Sequence, residues 1–173
     1  MNYGTIKIAD CANGLGCRTS LFVSGCTHHC KGCFQPETWN FDFGSAYTKQ
    51  TEDTIMESIR MPFTDGLTIL GGEPMELSNQ EAILPLIKKV KELGKTVWIY
   101  SGYTFEQLQN DSRCHGEYTD EILRNIDVLV DGEFHEEEKD ITLKFRGSAN
   151  QRVLDVPKTL KEGKIVFLEE IYG

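Results

Sequence analysis

Three cysteines lie close together in the segment 26–33, Cys-Thr-His-His-Cys-Lys-Gly-Cys, with the spacing C-x3-C-x2-C. Thiolates are soft ligands that select zinc, copper(I) or iron–sulfur clusters. Cys26, Cys30 and Cys33 are near enough in sequence to bind one metal centre together. This cysteine loop directly follows a buried strand predicted at 19–24, which would hold it at one edge of a sheet.

Three interpretations of the cysteine loop are open. The first is a structural zinc site with four protein ligands, completed by Cys17, His28 or His29. The second is an iron–sulfur cluster for electron transfer, with Cys17, Cys11 or Cys114 as its fourth cysteine. The third is a cluster held by three cysteines, in which one iron stays open for a substrate or cofactor. The spacing does not choose among them.

A second motif, Gly71-Gly72-Glu73-Pro74, follows the predicted strand 67–70. The glycines allow the backbone to approach a ligand closely, and Pro74 favours an extended conformation of Glu73. Glycine and proline are also the commonest residues of ordinary turns. In a parallel sheet this segment would lie beside the cysteine loop, so the two motifs together predict one ligand site.

Short apolar runs alternate with helical patterns along the chain. Three of the predicted strands begin at 67, 97 and about 127, and this spacing is the length of one strand–helix–strand unit. The chain is too short for a closed eightfold barrel of about 250 residues. We therefore predict an α/β fold, a partial (β/α) barrel of about five or six mostly parallel strands that is open laterally. Strands are expected at 19–24, 67–70, 97–100 and 128–130, and helices at 51–60, 78–93, from 104 and at 119–126.

Two capping boxes and the C-terminal segment give further expectations. Ser78 with Glu81, and Thr104 with Gln107, are spaced to cap the starts of two helices. The segments 152–156 and 164–168, around a turn near 162–163, are expected to form a small hairpin or an addition to the sheet edge.

Composition narrows the possible functions. The 173 residues predict a single domain spanning 1–173, and 18 basic against 27 acidic residues give a net charge of −9. This balance argues against a nucleic-acid or anionic membrane surface as the main partner. No apolar stretch approaches the roughly 20 residues that span a bilayer, and the first residues lack a basic and apolar leader. A cytoplasmic location is expected.

The cysteine loop and the Gly-Gly-Glu segment, in this order and at this separation, resemble the radical S-adenosylmethionine superfamily. Within it, the chain is similar to the family of activating proteins of anaerobic ribonucleoside-triphosphate reductases. The similarity is carried by Asn13-Gly14, Phe22 to Cys26, Cys33-Phe34, Thr38-Trp39 and Arg146 to Arg152, the last with the sequence Arg-Gly-Ser-Ala-Asn-Gln-Arg.

The resemblance implies a 4Fe–4S cluster bound by the three cysteines of the loop, with S-adenosylmethionine on the fourth iron. One electron from an external donor, such as flavodoxin, would cleave the sulfonium C–S bond. The resulting 5′-deoxyadenosyl radical would remove a hydrogen from a glycine Cα of the large subunit of the reductase, a protein substrate. The cluster ligands would be Cys26, Cys30 and Cys33, with Gly32, Cys33 and Phe34 beside the cofactor and Gly72 and Glu73 at its methionyl end.

The sequence gives expectations for several other residues. Ser101 and Asp131 end the next two strands and are expected to form hydrogen bonds with the cofactor, with strand-end capping as the alternative. His28 and His29 are expected to face solvent. We expect Cys11, Cys17 and Cys114 to be free thiols, and Trp39 and Trp98 to serve packing.

Two alternative functions stay open at this point. One is the activation of another glycyl-radical enzyme, such as a formate acetyltransferase. The other is a non-catalytic binding module stabilised by zinc.

Overall fold

A computed structural model describes residues 1–172 of the chain. Its strands form one seven-stranded sheet in the order β3-β1-β2-β4-β5-β6-β7. The strands are β1 (Asn2–Asp10), β2 (Arg18–Val23), β3 (Ser45–Ala46), β4 (Gly66–Gly71), β5 (Thr96–Ser101), β6 (Val128–Asp131) and β7 (Arg152–Asp155). The α-helices are α1 (Lys49–Ile59), α2 (Leu77–Glu92), α3 (Phe105–Asn110), α4 (Thr119–Asn125), α5 (Val156–Glu162) and α6 (Glu169–Tyr172).

The centre of the sheet is parallel. Strands β2, β4, β5 and β6 pair in parallel, and their last residues are in register, Val23 with Gly71 and Ser101 with Asp131. β1, β3 and β7 pair antiparallel at the two sides, and β3 and β7 form the edges of an open sheet. The predicted open, partial α/β barrel is confirmed, with seven strands in place of five or six.

The four central strands are buried on both faces, which explains why they appear in the sequence as continuous apolar runs. On the outer face, side chains such as Ile69 and Ile99 pack against Ile55, Ile83 and Ile87 of α1 and α2. A smaller cluster of five buried residues lies apart from this main core: Trp98, Val128, Val130, Val153 and Leu168. No helix among residues 1–172 is long and apolar enough to cross a membrane.

One predicted capping box forms and the other does not. Thr104 and Gln107 make the reciprocal bonds that start α3. The Ser78–Glu81 box is wrong, because α2 begins at Leu77 after Glu76 and has no side-chain cap. Glu76 instead turns its carboxylate toward the cysteine loop.

The C-terminal segment forms an edge strand followed by a helix. β7 adds to the sheet beside β6, which confirms the edge addition. The hairpin is wrong, because Asp155 caps a helix that follows β7 directly and Pro157 stands at its first turn. The chain returns to the sheet only in the isolated bridge between Leu154 and Phe167.

A buried arginine fastens the sheet at the amino ends of the strands. Arg18, which is 1% exposed, donates from Nε to the Thr68 hydroxyl and from Nη2 to the carbonyls of Leu67 and Thr96, at 2.8–3.0 Å. Its Nη1 donates to the carbonyl of Leu15 and to the hydroxyl of Thr96. One guanidinium therefore connects β2, β4, β5 and the loop before β2.

We expect Arg18→Lys to lower the free energy of unfolding by about 2–4 kcal/mol, because an ammonium cannot reach all of these buried acceptors. Urea unfolding followed by circular dichroism measures the change. The matched control is Arg60→Lys, at an exposed position after α1, which should stay within about 0.5 kcal/mol of the unchanged chain. Equal stability of both variants would contradict a fastening role for Arg18.

Candidate functional site

The cysteine loop leaves the sheet at the end of β2 and is anchored at its base. The backbone N–H of Gly25 donates to the carbonyl of Thr38 at 2.8 Å, and that of Cys26 donates to Trp39 at 3.3 Å. A turn within the loop is closed by Cys33, whose N–H donates to the carbonyl of Cys30 at 3.1 Å. These bonds keep the three thiols on one side of the sheet edge.

The loop after β4 is joined to the cysteine loop by backbone contacts. The N–H of Gly72 donates to Val23 at 2.7 Å, and that of Glu73 donates to Gly25 at 2.8 Å. A Cβ at position 72 would stand 2.7 Å from the carbonyl oxygen of Gly25, so only glycine allows this approach. The two sequence motifs therefore lie against each other, as predicted.

Glu73 is 1% exposed, and donors hold both oxygens of its carboxylate. Oε1 accepts from the N–H of Met75 and the hydroxyl of Ser101, each at 2.8 Å. Oε2 accepts from the N–H of Gly102 at 2.6 Å and lies 2.9 Å from Nε2 of His28. The carboxylate is thus fixed in one orientation by neighbouring loops.

His28 does not face solvent, contrary to the sequence prediction. Its side chain is 6% exposed and bridges Glu73 through Nε2 and Glu133 through Nδ1, at 2.9 and 2.8 Å. The ring packs on Tyr103, with the ring centroids 4.3 Å apart. Burial lowers the pKa of His28, but the two carboxylates outweigh burial and raise this pKa to about 9. At neutral pH the imidazole is therefore a cation between two anions.

His29 behaves differently from its neighbour. It is exposed, as predicted, and stacks on Trp39, with ring centroids 4.4 Å apart and an interplanar angle of 16°. Trp39 is thus a packing residue that also lines the site, whereas Trp98 belongs to the smaller buried cluster and packs on Phe145.

A cavity of about 610 Å³ lies at the carboxyl ends of the parallel strands, within the usual size range of ligand pockets. Its wall brings together most of the residues predicted for the site. Those on the wall are Cys26, Cys30, Cys33, Phe34, Gly72, Glu73 and Ser101.

Gly32 and Asp131, which were also predicted for the site, are not on the cavity wall. Gly32 forms the turn before Cys33 in a left-handed conformation, with φ +75°. Asp131 is fully buried and accepts from Arg152 and from the N–H of Phe105, at 2.6–2.9 Å. Asp131 therefore has the alternative role of capping the end of its strand, and it does not face the cavity.

Burial disfavours the thiolate forms of Cys26 and Cys30. It raises the pKa of Cys26 to about 12, against the opposing effect of backbone hydrogen bonds from His28 and His29. Burial also raises the pKa of Cys30, and the N–H of Phe134 opposes it. Thiolates in this setting require a positively charged metal centre beside them, and binding of such a centre releases protons.

The other three cysteines are not on the cavity wall. Within residues 1–172, the wall contains only the three cysteines of the loop. Cys114 is fully buried in the main core and donates to the carbonyl of Gln107 at 3.4 Å, while Cys11 and Cys17 lie at the loop between β1 and β2. Across these described residues, no three His, Cys, Asp or Glu side chains are arranged to hold a single metal ion.

Sequence reasoning missed two polar residues that position the site. Glu76 accepts from both the N–H and the hydroxyl of Thr27, at 2.8 and 2.7 Å. The amide of Asn79 donates to the carbonyls of Ser24 and Glu73 at 3.0 Å. Glu76 immediately precedes α2 and Asn79 lies in its first turn, so their closeness in sequence to the Gly-Gly-Glu motif could have revealed them.

Comparison with known proteins supports an iron–sulfur interpretation. Residues 12–154 match a family model described as a 4Fe-4S single cluster domain. An anaerobic ribonucleoside-triphosphate reductase-activating protein of Vibrio cholerae is 41% identical over 155 residues, which cover 87% of this chain and 96% of that protein. Proteins of the same name from phage T4 and Escherichia coli are 37% and 36% identical, each over 88% of this chain and over 93% and 97% of their own lengths.

The chain belongs to this family of activating proteins. Membership decides the nature of the metal centre, because the matching model describes a 4Fe–4S cluster and not zinc. The donor set on the cavity wall fits such a cluster, since thiolates are its protein ligands. We propose Cys26, Cys30 and Cys33 as these ligands, because they are the cysteines of the wall within the described residues.

We expect Cys30→Ala to abolish cluster assembly, because two thiolates cannot replace a three-point attachment. Iron and sulfide content after anaerobic reconstitution, with the visible absorbance of the cluster, measures the loss. Cys114→Ala is the matched control and should assemble the cluster fully, since its thiol lies in the core. Loss of the cluster in Cys114→Ala as well would indicate four protein ligands and contradict an open fourth iron.

Proposed function

We propose that this chain is a radical S-adenosylmethionine activating enzyme that generates a glycyl radical on an anaerobic ribonucleoside-triphosphate reductase. The observation that carries the proposal is the shared cavity wall, on which three thiols and the fixed carboxylate of Glu73 stand together. When bound, the reduced cluster would cleave the sulfonium C–S bond of S-adenosylmethionine by one-electron transfer, which supplies a radical able to abstract hydrogen.

Glu73 supports the methionyl end of this cofactor. A buried carboxylate on a cavity wall suits a cationic amino group, because charge-assisted hydrogen bonds are the stronger ones. Ser101 and Gly102 hold the carboxylate in place, at 2.8 and 2.6 Å. We therefore assign Ser101 as a positioning residue that acts through Glu73.

Unpartnered polar atoms support a nucleoside in the same cavity. The hydroxyl of Tyr100, Nε1 of Trp39 and Nε of Arg146 are buried and have no hydrogen-bond partner within residues 1–172. All three residues line the cavity. Buried polar atoms are nearly always paired, so these three fit the hydroxyls and ring nitrogens of an adenosine group.

The rim of the cavity supports a protein substrate. Phe34 lies on the wall yet is 67% exposed, and its ring packs on Phe134 at a centroid distance of 5.1 Å. Hydrogen abstraction requires a site from which water and bystander groups are excluded. A laterally open sheet with an exposed apolar rim can exclude water when a segment of the partner covers the cavity. We propose that the glycine-bearing segment of the reductase is this cover.

The relatives carry the name of activating proteins of anaerobic ribonucleoside-triphosphate reductase. These names support the reductase as the partner of this chain. We propose in addition a flavodoxin-type one-electron donor and a cytoplasmic site of action. Neither nucleic acid nor a membrane surface enters the proposal, in keeping with the net charge of −9.

The test of this function mixes the anaerobically reconstituted chain, a one-electron reductant, S-adenosylmethionine and the purified reductase. We expect a glycyl radical signal by electron paramagnetic resonance and release of 5′-deoxyadenosine and methionine. Cys30→Ala should give neither, whereas Cys114→Ala should give both. A signal on a formate acetyltransferase but not on the reductase would support the alternative function, activation of another glycyl-radical enzyme. No signal on either protein would overturn the proposal.

We expect Tyr100→Phe to weaken binding of S-adenosylmethionine about 2- to 10-fold, the loss that one ligand hydrogen bond produces. Equilibrium binding to the cluster-loaded protein measures it. The matched control is Tyr47→Phe, because the hydroxyl of Tyr47 is also buried and unpartnered within the described chain but lies away from the cavity. An equal effect of both changes would remove Tyr100 from the nucleoside contacts.

A further inference from the structure

Cys11 and Cys17 flank the last residue pair of the antiparallel ladder between β1 and β2. The last pair of this antiparallel ladder is Asp10 with Arg18, and the two cysteines are the next residues on either side. Directly opposed residues of antiparallel strands have Cα atoms about 4.5 or 5.5 Å apart. A disulfide requires Cα atoms about 4.4–6.8 Å apart, so continuing the ladder by one pair would bring Cys11 and Cys17 within disulfide range.

The Cys11 thiol is close enough to Cys17 to affect its pKa. Burial and the charge and hydrogen bond of the Cys11 thiol raise the pKa of Cys17, and the carboxylates of Asp65 and Asp10 add to this effect. Acidic neighbours disfavour a thiolate, whereas a disulfide carries no charge. The surroundings therefore suit the closed, neutral form of the pair better than a pair of metal-binding thiolates.

Access and rigidity differ between the two thiols. Cys11 is exposed and Cys17 is half-buried. The backbone of Cys17 is fixed to Asp65 on both sides: its N–H donates to the Asp65 carboxylate at 2.8 Å, and its carbonyl accepts from the N–H of Asp65 at 2.7 Å. Such a pair has one thiol that an external disulfide can reach and a second, held in place, that can resolve the adduct.

We propose that Cys11 and Cys17 form a thiol–disulfide exchange site for low-molecular-weight disulfides. The thiolate of Cys11 attacks one sulfur of the small disulfide, which forms a mixed disulfide and releases one small thiol. The thiolate of Cys17 then attacks the sulfur of Cys11, closes the intramolecular disulfide and releases the second small thiol. Two protein thiols are oxidised and one small disulfide is reduced to two thiols, and the two protein protons go to the released thiolates.

The segment between these cysteines lies against the cofactor cavity. Ala12 and Asn13 are on the cavity wall, and the carbonyl of Asn13 accepts from the hydroxyl of Thr68 at 2.7 Å. Leu15 and Gly16, on the same segment, line a second cavity of about 650 Å³. A disulfide at the base of this segment would therefore fix the wall between the two cavities.

The experiment exposes the cluster-loaded protein to oxidised glutathione without air, followed by acid quench, alkylation of free thiols and trypsin digestion. Residues 8–18 form a single tryptic peptide that contains both cysteines and no other, while the remaining cysteines fall in other peptides. We expect peptide 8–18 to lose two hydrogens, to resist alkylation and to recover both alkylation sites after reduction.

Two variants make the result specific. Cys17→Ser lacks the resolving thiol and should accumulate a glutathione adduct on Cys11, whereas Cys114→Ser should close peptide 8–18 as the unchanged chain does. The proposal is overturned if peptide 8–18 keeps both alkylation sites, or if the unchanged chain accumulates as much adduct as Cys17→Ser. The measured quantity is the mass of peptide 8–18. This result can therefore be interpreted whether or not the radical assay succeeds.

Discussion

The backbone contact between the ends of β2 and β4 places the cysteine loop beside the carboxylate of Glu73. Two hydrogen bonds of 2.7 and 2.8 Å join the loops, and the approach is close enough to exclude a Cβ at Gly72. The cysteine loop continues from one side of this contact and Glu73 from the other. Parallel pairing brings the strand ends to one edge, and the glycines then allow the two loops to touch.

Charge balance at this contact depends on His28. A carboxylate as buried as that of Glu73 is costly unless donors surround it, and four donors do. One of them is the imidazole of His28, a cation that also binds Glu133 and sits between two cysteines of the loop. The conformation of the metal-binding loop is thus electrostatically coupled to the carboxylate assigned to the cofactor.

Local patterns predicted the parallel centre of the fold and the two site motifs, because continuous apolar runs and closely spaced thiols are visible in the sequence. β1 was missed, since its residues are only partly buried and form no apolar run. The burial of His28 depends on Glu133, which lies 105 residues away, and the start of α2 depends on Glu76 binding Thr27. Partners so distant in sequence become visible only when the sheet places them together.

The open sheet also explains how so short a chain can carry such reactive chemistry. Arg18 fastens the amino ends of β2, β4 and β5 with bonds to buried acceptors, so the scaffold stays rigid without closing into a barrel. The opposite ends of the strands carry the cavity and the exposed ring of Phe34. A closed barrel would admit only small molecules to that cavity. An open one can receive a loop of another protein, and the dryness that hydrogen abstraction requires then arises only in the complex, when the substrate itself completes the wall.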